Sequence, residues 1–94
     1  PEARLDAVRL AETNVDYNPR SVDARFTLLT ALNRDAKHRR GDIERLCLEL
    51  HAEVSAYDET AVPELEAAVG ERVSKRVAVE KIMREHAILL TSSH

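Results

Sequence analysis

Residues 46–63 read LCLELHAEVSAYDETAVP. With Ile43 just upstream, apolar residues fall at Ile43, Leu46, Cys47, Leu50, Val54, Tyr57 and Ala61. Steps of three and four are the period of an α-helix with one face in a core. Two polar side chains interrupt the stripe. Glu53 lies seven residues past Leu46 and four before Tyr57, on or beside the buried face. A carboxylate and a phenol one turn apart at a core edge require a polar partner. The candidate partner is His86, in the last apolar-periodic segment.

Working outward, each flank adds a segment of the same kind. Val22, Phe26, Leu29 and Leu32 or Asn33 mark a helix over 19–33, with Asn18 as cap and Pro19 in the first turn. Asp42 caps the central helix, which extends to about 61. Pro63 opens a short helical stretch that stops at Gly70. The last helix spans 71–90, with Val73, Val77 or Val79, Ile82, His86 and Leu89 or Leu90 on one face. At the other end Leu5, Val8 and Leu10 give a thin stripe, so a short helix is expected over 2–12. Turn chemistry follows over 13–19 (TNVDYNP). The expected core includes Phe26, Leu29, Leu46, Leu50, Val77 and Ile82. The fold expected is all-α: an up-and-down antiparallel bundle of three main helices plus a short N-terminal one.

The composition bounds what such a chain does. It has 94 residues, enough for one domain, with 44% hydrophobic residues, 2 Gly and 3 Pro, which favours helices joined by short turns. The formal charge of −3 supplies no global field for nucleic acid or anionic lipid. No apolar run approaches the roughly 20 residues of a membrane helix, and no signal-peptide pattern is visible. The single cysteine excludes an internal disulfide and favours a reducing, cytoplasmic setting. Cys47, on the stripe, reads as a small buried hydrophobe. The run Lys37-His38-Arg39-Arg40 reads as a solvated face, with phosphate binding as the sharper alternative. His51 falls off the row of Leu46, Leu50 and Tyr57 and is expected in solvent. There is no glycine-rich phosphate loop, no CxxC and no HExxH, and no Ser or Cys sits in a nucleophile's context, so no enzyme is expected.

Several of these residues together resemble the bacterial hemerythrin-like (HHE cation-binding) domains. The second helix of that family carries an Ile/Leu-Cys-x-Glu-Leu segment. A ligand His, a ligand Glu one turn later, an acidic cluster and an aromatic-Pro pair follow. Here Leu46-Cys47-Leu48-Glu49-Leu50 matches the opening, Tyr57-Asp58-Glu59 falls on the acidic cluster and Val62-Pro63 on the last pair. Glu85-His86 falls at a fitting distance for the family's third-helix Glu-His pair. Asn18-Pro19-Arg20-Ser21-Val22 sits where the first helix has Asp-His-x-x-Val.

The resemblance implies a helical bundle and a di-iron site, and the ligand positions depart from it. The first-helix His is Pro19, the second-helix His is Glu53, the ligand Glu is Tyr57, and only His86 keeps its type. The family's fourth helix has no counterpart after His86, so residues 2–12 or another chain must close the bundle. A di-iron centre needs several imidazoles and carboxylates converging from facing helices. Glu53, Tyr57 and His86, with Asp58 beside them, offer at most one loosely held ion. Two functions follow. One is a hemerythrin-like domain that has lost its iron, holds no cofactor and acts through a protein partner, a homodimer first. The other is an iron-binding oxygen or redox sensor whose site, Glu53, Tyr57 and His86, is rearranged and completed in a dimer.

Overall fold

The computed structural model describes the backbone of residues 2–60 and 66–90, and the side chains of 7–55, 70 and 73–90. Within them the chain is all-α, with no strand. The helices are α1 (Glu2–Tyr17), α2 (Val22–Asp35), α3 (Arg40–Thr60) and α4 (Glu66–Glu85). Packing divides the chain into two compact units, residues 1–46 and 47–94.

In the first unit α1 packs along α2. Val8 and Ala11 are buried on α1, and Val15 continues their row half-buried. That row carries the helix past Thr13 and through the turn-forming cluster, so α1 reaches Tyr17 rather than stopping at 12. Packing outweighs local propensity here. The asparagines fit the helix end: the Asn18 side chain donates to the Asn14 Oδ1 at 3.1 Å. Leu10, expected in the stripe, is 71% exposed.

Helix α2 starts three residues later than the Asn18-Pro19 reading placed it. Pro19 and Arg20 form the turn, and Ser21 is the cap, its hydroxyl accepting from the Ala24 N–H at 3.1 Å. Ala24, Leu28, Leu29, Ala31 and Leu32 are buried. Phe26, expected in the core, is half-buried at its edge. The link to α3 is held by Arg39, whose carbonyl accepts from the Ile43 N–H at 3.1 Å. Asp42 therefore lies in the first turn of α3 and is not its cap. Its carboxylate accepts from Arg39 Nε at 2.9 Å, and an acid in a first turn favours the helix dipole.

On α3 the stripe is buried as read: Ile43, Leu46, Cys47, Leu50 and Val54 are each no more than 2% exposed. The Tyr57 and Ala61 side chains lie outside the described residues. Helix α4 runs through Gly70 without a break, so Gly70 is no stop signal. Its buried face is Val79, Ile82 and Met83, while Val77 is 54% exposed. Val77 and Val79 stand about 200° apart on a helix, so only one of them could join Ile82.

Helix α4 ends at Glu85 rather than near Leu90, in a Schellman motif. The Ile88 N–H donates to the Met83 carbonyl at 2.8 Å and the Ala87 N–H to the Arg84 carbonyl at 3.2 Å. Ile88 and Met83 are both buried, as the motif's hydrophobic contact requires. Ala87 occupies the left-handed position, with φ of 54°. That conformation costs a non-glycine residue about 1–2 kcal/mol, and glycine's looser unfolded chain returns about 0.4–1 kcal/mol of it. Ala87→Gly is therefore expected to stabilise the protein by about 0.5–1 kcal/mol. A shift of the urea midpoint to higher concentration shows this; a shift to lower concentration contradicts the motif.

Candidate functional site

Of the three residues singled out from the sequence, Glu53 and His86 have described side chains. Glu53 is half-buried on α3. His86 is half-buried at the C-cap of α4, its N–H donating to the Ile82 carbonyl at 3.1 Å. The side chains of Tyr57 and Asp58 lie outside the described residues. Among the described residues, no group of three or more His, Cys, Asp or Glu side chains is placed to hold a metal ion.

The polar cluster that the structure does define is centred on His51. Its side chain is only 13% exposed, against the solvated position expected. Its Nε2 lies 2.9 Å from the Glu80 Oε2 on α4, and its Nδ1 lies 3.5 Å from the Ser55 hydroxyl. A carboxylate only accepts, so Nε2 carries a proton, and in the neutral imidazole Nδ1 accepts from Ser55. His51 falls four residues after Cys47 and three before Val54, on the edge of the buried face. Checking that spacing against Ile43 and Cys47, rather than against Leu46 and Leu50, finds it.

Hydroxyl, imidazole and carboxylate in series have the order of a nucleophile, base and orienting acid. Ser55 lies inside α3, where the helix takes up its backbone N–H. The cluster ties α3 to α4 within the second unit.

Two more buried polar groups escaped the sequence reading. Arg25, 8% exposed, donates from Nε to the Ser21 carbonyl at 3.2 Å and from Nη2 to the Arg20 carbonyl at 3.0 Å, fixing the entry to its own helix. The Asp35 side chain is 2% exposed and pairs with Arg34 at 2.9 Å. That carboxylate holds the Arg34 guanidinium above its ordinary pKa, by hydrogen bond first and by charge second.

The basic run 37–40 is partly satisfied by its own chain. Arg39 pairs with Glu12 at 3.0 Å and Asp42 at 2.8 Å, and Arg40 with Glu44 at 2.8 Å. Hydrogen bonds to Glu12 and then to Asp42 raise the Arg39 pKa. Lys37 and His38 are exposed.

No family model, curated protein or solved structure matches the chain.

Apolar side chains also stand on the surface of the second unit. Val77 on α4 is 54% exposed, and Leu89 and Leu90, just past the Schellman turn, are 79% and 51% exposed. The two leucines border a cleft of about 350 Å³ with Glu80, Met83, Arg84 and Ile88. Among the described residues no helix is long and apolar enough to cross a membrane.

If His51 is a tie, the two ends of its chain differ in weight. Removing the imidazole with His51→Ala is expected to cost about 1–2 kcal/mol, from one charge-assisted bond and its packing. Ser55→Ala, which loses only the long contact, should cost less than about 0.5 kcal/mol. Chemical denaturation of the two variants measures both. Equal losses would contradict the assignment.

Proposed function

We propose that this chain is a hemerythrin-like helical domain that has lost its di-iron site and works by binding protein. In this reading the helices form an up-and-down antiparallel bundle in a single cytoplasmic domain, and the chain is not an enzyme. Leu46-Cys47-Leu48-Glu49-Leu50 and Glu85-His86 support the kinship, and Pro19 and Glu53 at ligand positions support the loss. The observation that carries the binding role is the exposed apolar set Val77, Leu89 and Leu90. Leu89 and Leu90 border one cleft, and adjoining exposed apolar side chains are characteristic of interaction sites. Lys81, exposed on the same helix, is a natural reporter. Amine cross-linking of the protein in its own cells is expected to join Lys81 to a second polypeptide chain. Val77→Ser with Leu89→Ser should remove those links while leaving the fold intact. Links confined to one chain, or unchanged in the double variant, would defeat the proposal.

The iron-binding alternative keeps Glu53, Tyr57 and His86 as ligands, all three chemically competent for iron. Its test is a metal titration. A bound ferrous ion raises the melting temperature once its concentration passes the dissociation constant. A metal-binding chain would show that rise and lose it in His86→Ala. The interaction reading expects no rise at millimolar metal.

A further inference from the structure

Packing on α2 uses one side of α1 and leaves the other uncovered. The inner row is Val8 and Ala11, with Val15 half-buried. On the opposite side Arg9, Leu10, Thr13, Asp16 and Tyr17 cover about 120° of the helix surface, and all five are exposed. Leu10 is 71% exposed and Tyr17 82%. These two stand seven residues apart, nearly one above the other, and form one edge of the face. Arg9 and Asp16, also seven apart, form the other edge. Among the described residues neither Arg9 nor Asp16 is in an ion pair. Thr13 lies in the middle, between the two edges and halfway along them.

We propose that this face pairs with the same face of a second copy of the chain. The two α1 helices run antiparallel and meet at Thr13, with Leu10 against Tyr17 and Arg9 against Asp16 of the other copy. The inference goes beyond the interaction reading above, because it concerns a surface of the first unit and uses no residue of α4.

The placement of the five side chains selects both the partner and the direction. A twofold axis makes residue i meet j and j meet i. When that axis crosses both helices at Thr13, it keeps each edge of the face on its own side and reverses the order along the helix. The apolar edge then meets the apolar edge, so Leu10 arrives at Tyr17 twice. The charged edge meets the charged edge, so Arg9 arrives at Asp16 twice. The midpoints of both pairs fall half a residue from Thr13, less than about 1 Å along the axis. One register therefore satisfies all four contacts. A parallel pair fails, because its axis runs along the helices and exchanges the edges. Arg9 would then lie beside Leu10, and Asp16 beside Tyr17, with no opposite charge in reach. A second copy thus supplies base, acid and apolar pair at the heights where this face needs them. Two turns of helix make a small interface, of the weak and transient kind.

The test is sedimentation equilibrium on the whole chain, carried to millimolar protein. The wild type is expected to approach twice the 10.6 kDa of one chain. Arg9→Asp and Asp16→Arg, each of which opposes like charges at two places, should each raise the dimer dissociation constant about tenfold. The doubly swapped R9D/D16R should return it to the wild-type value. An equimolar mixture of the two single variants should also associate, because each supplies the charge the other lacks. Leu10→Ser with Tyr17→Ser should abolish association. All the substituted positions are exposed, and circular dichroism melts check that each variant is folded. In a dilution series followed by NMR, the amide shifts that change should cluster over 9–17. A wild type that stays monomeric throughout overturns the inference. So does a dimer that ignores the charge reversals, or whose shifts cluster at Val77, Leu89 and Leu90 instead. A monomer whose Lys81 still cross-links to another polypeptide would overturn the α1 pairing and leave the interaction reading in place.

Discussion

The row Ile43, Leu46, Cys47, Leu50 and Val54 on α3 is buried along its whole length. Leu46 and Leu50 are each 1% exposed and Cys47 is wholly enclosed. Removing a leucine side chain from water contributes about 1.5–3 kcal/mol, so two such residues are a large share of a small domain's stability. The polar groups respect that row. His51 reaches Glu80 from its edge, where the imidazole keeps a carboxylate partner without opening the core. Arg39 and Asp42 pair at the start of the helix, where charge remains partly in water. Exposed pairs of this kind contribute little each. Their value lies in fixing how the chain enters α3.

The sequence was most legible where one period had no competitor. On α3 the apolar residues from Ile43 to Val54 fall on the buried row except Leu48, which is half-buried, and Ala52, which is exposed. On α4 three valines, at 73, 77 and 79, offered two incompatible faces, and periodicity alone could not choose between them. The deciding residues are Ile82 and Met83, which stand at i+3 and i+4 from Val79. Helix ends were legible only in part. Turn-forming Asn14 and Asp16 stand inside α1 because Val8, Ala11 and Val15 carry its packed row past them. The Schellman turn was hidden because alanine, not glycine, fills its left-handed position.

For the candidate site the division is similar. Glu53 is half-buried beside the α3 stripe; His86, read as part of the inner face of the last helix, is half-buried just past the end of α4. Burial of Arg25 and Asp35 was invisible, because nothing in local spacing announces that a charged side chain will turn inward. Arg25 bonds the carbonyls of its own entry turn, a partner every residue carries and no motif marks. His51 was misplaced for a different reason: its position was judged against one row of the helix when the buried face is two rows wide. An amphipathic helix in a globular core buries a stripe of 100° or more. A single row of positions underestimates it.

The fully buried α3 row is expected to be the most stable part of the chain. Native-state amide hydrogen exchange tests it residue by residue, since slow exchange marks segments that open only with global unfolding. The account predicts that amides over 43–54 exchange most slowly of all, at a free energy equal to that of complete unfolding. Exchange over 43–54 as fast as that over 8–16 in α1 would contradict it, and would mean that α3 is carried by its neighbours instead.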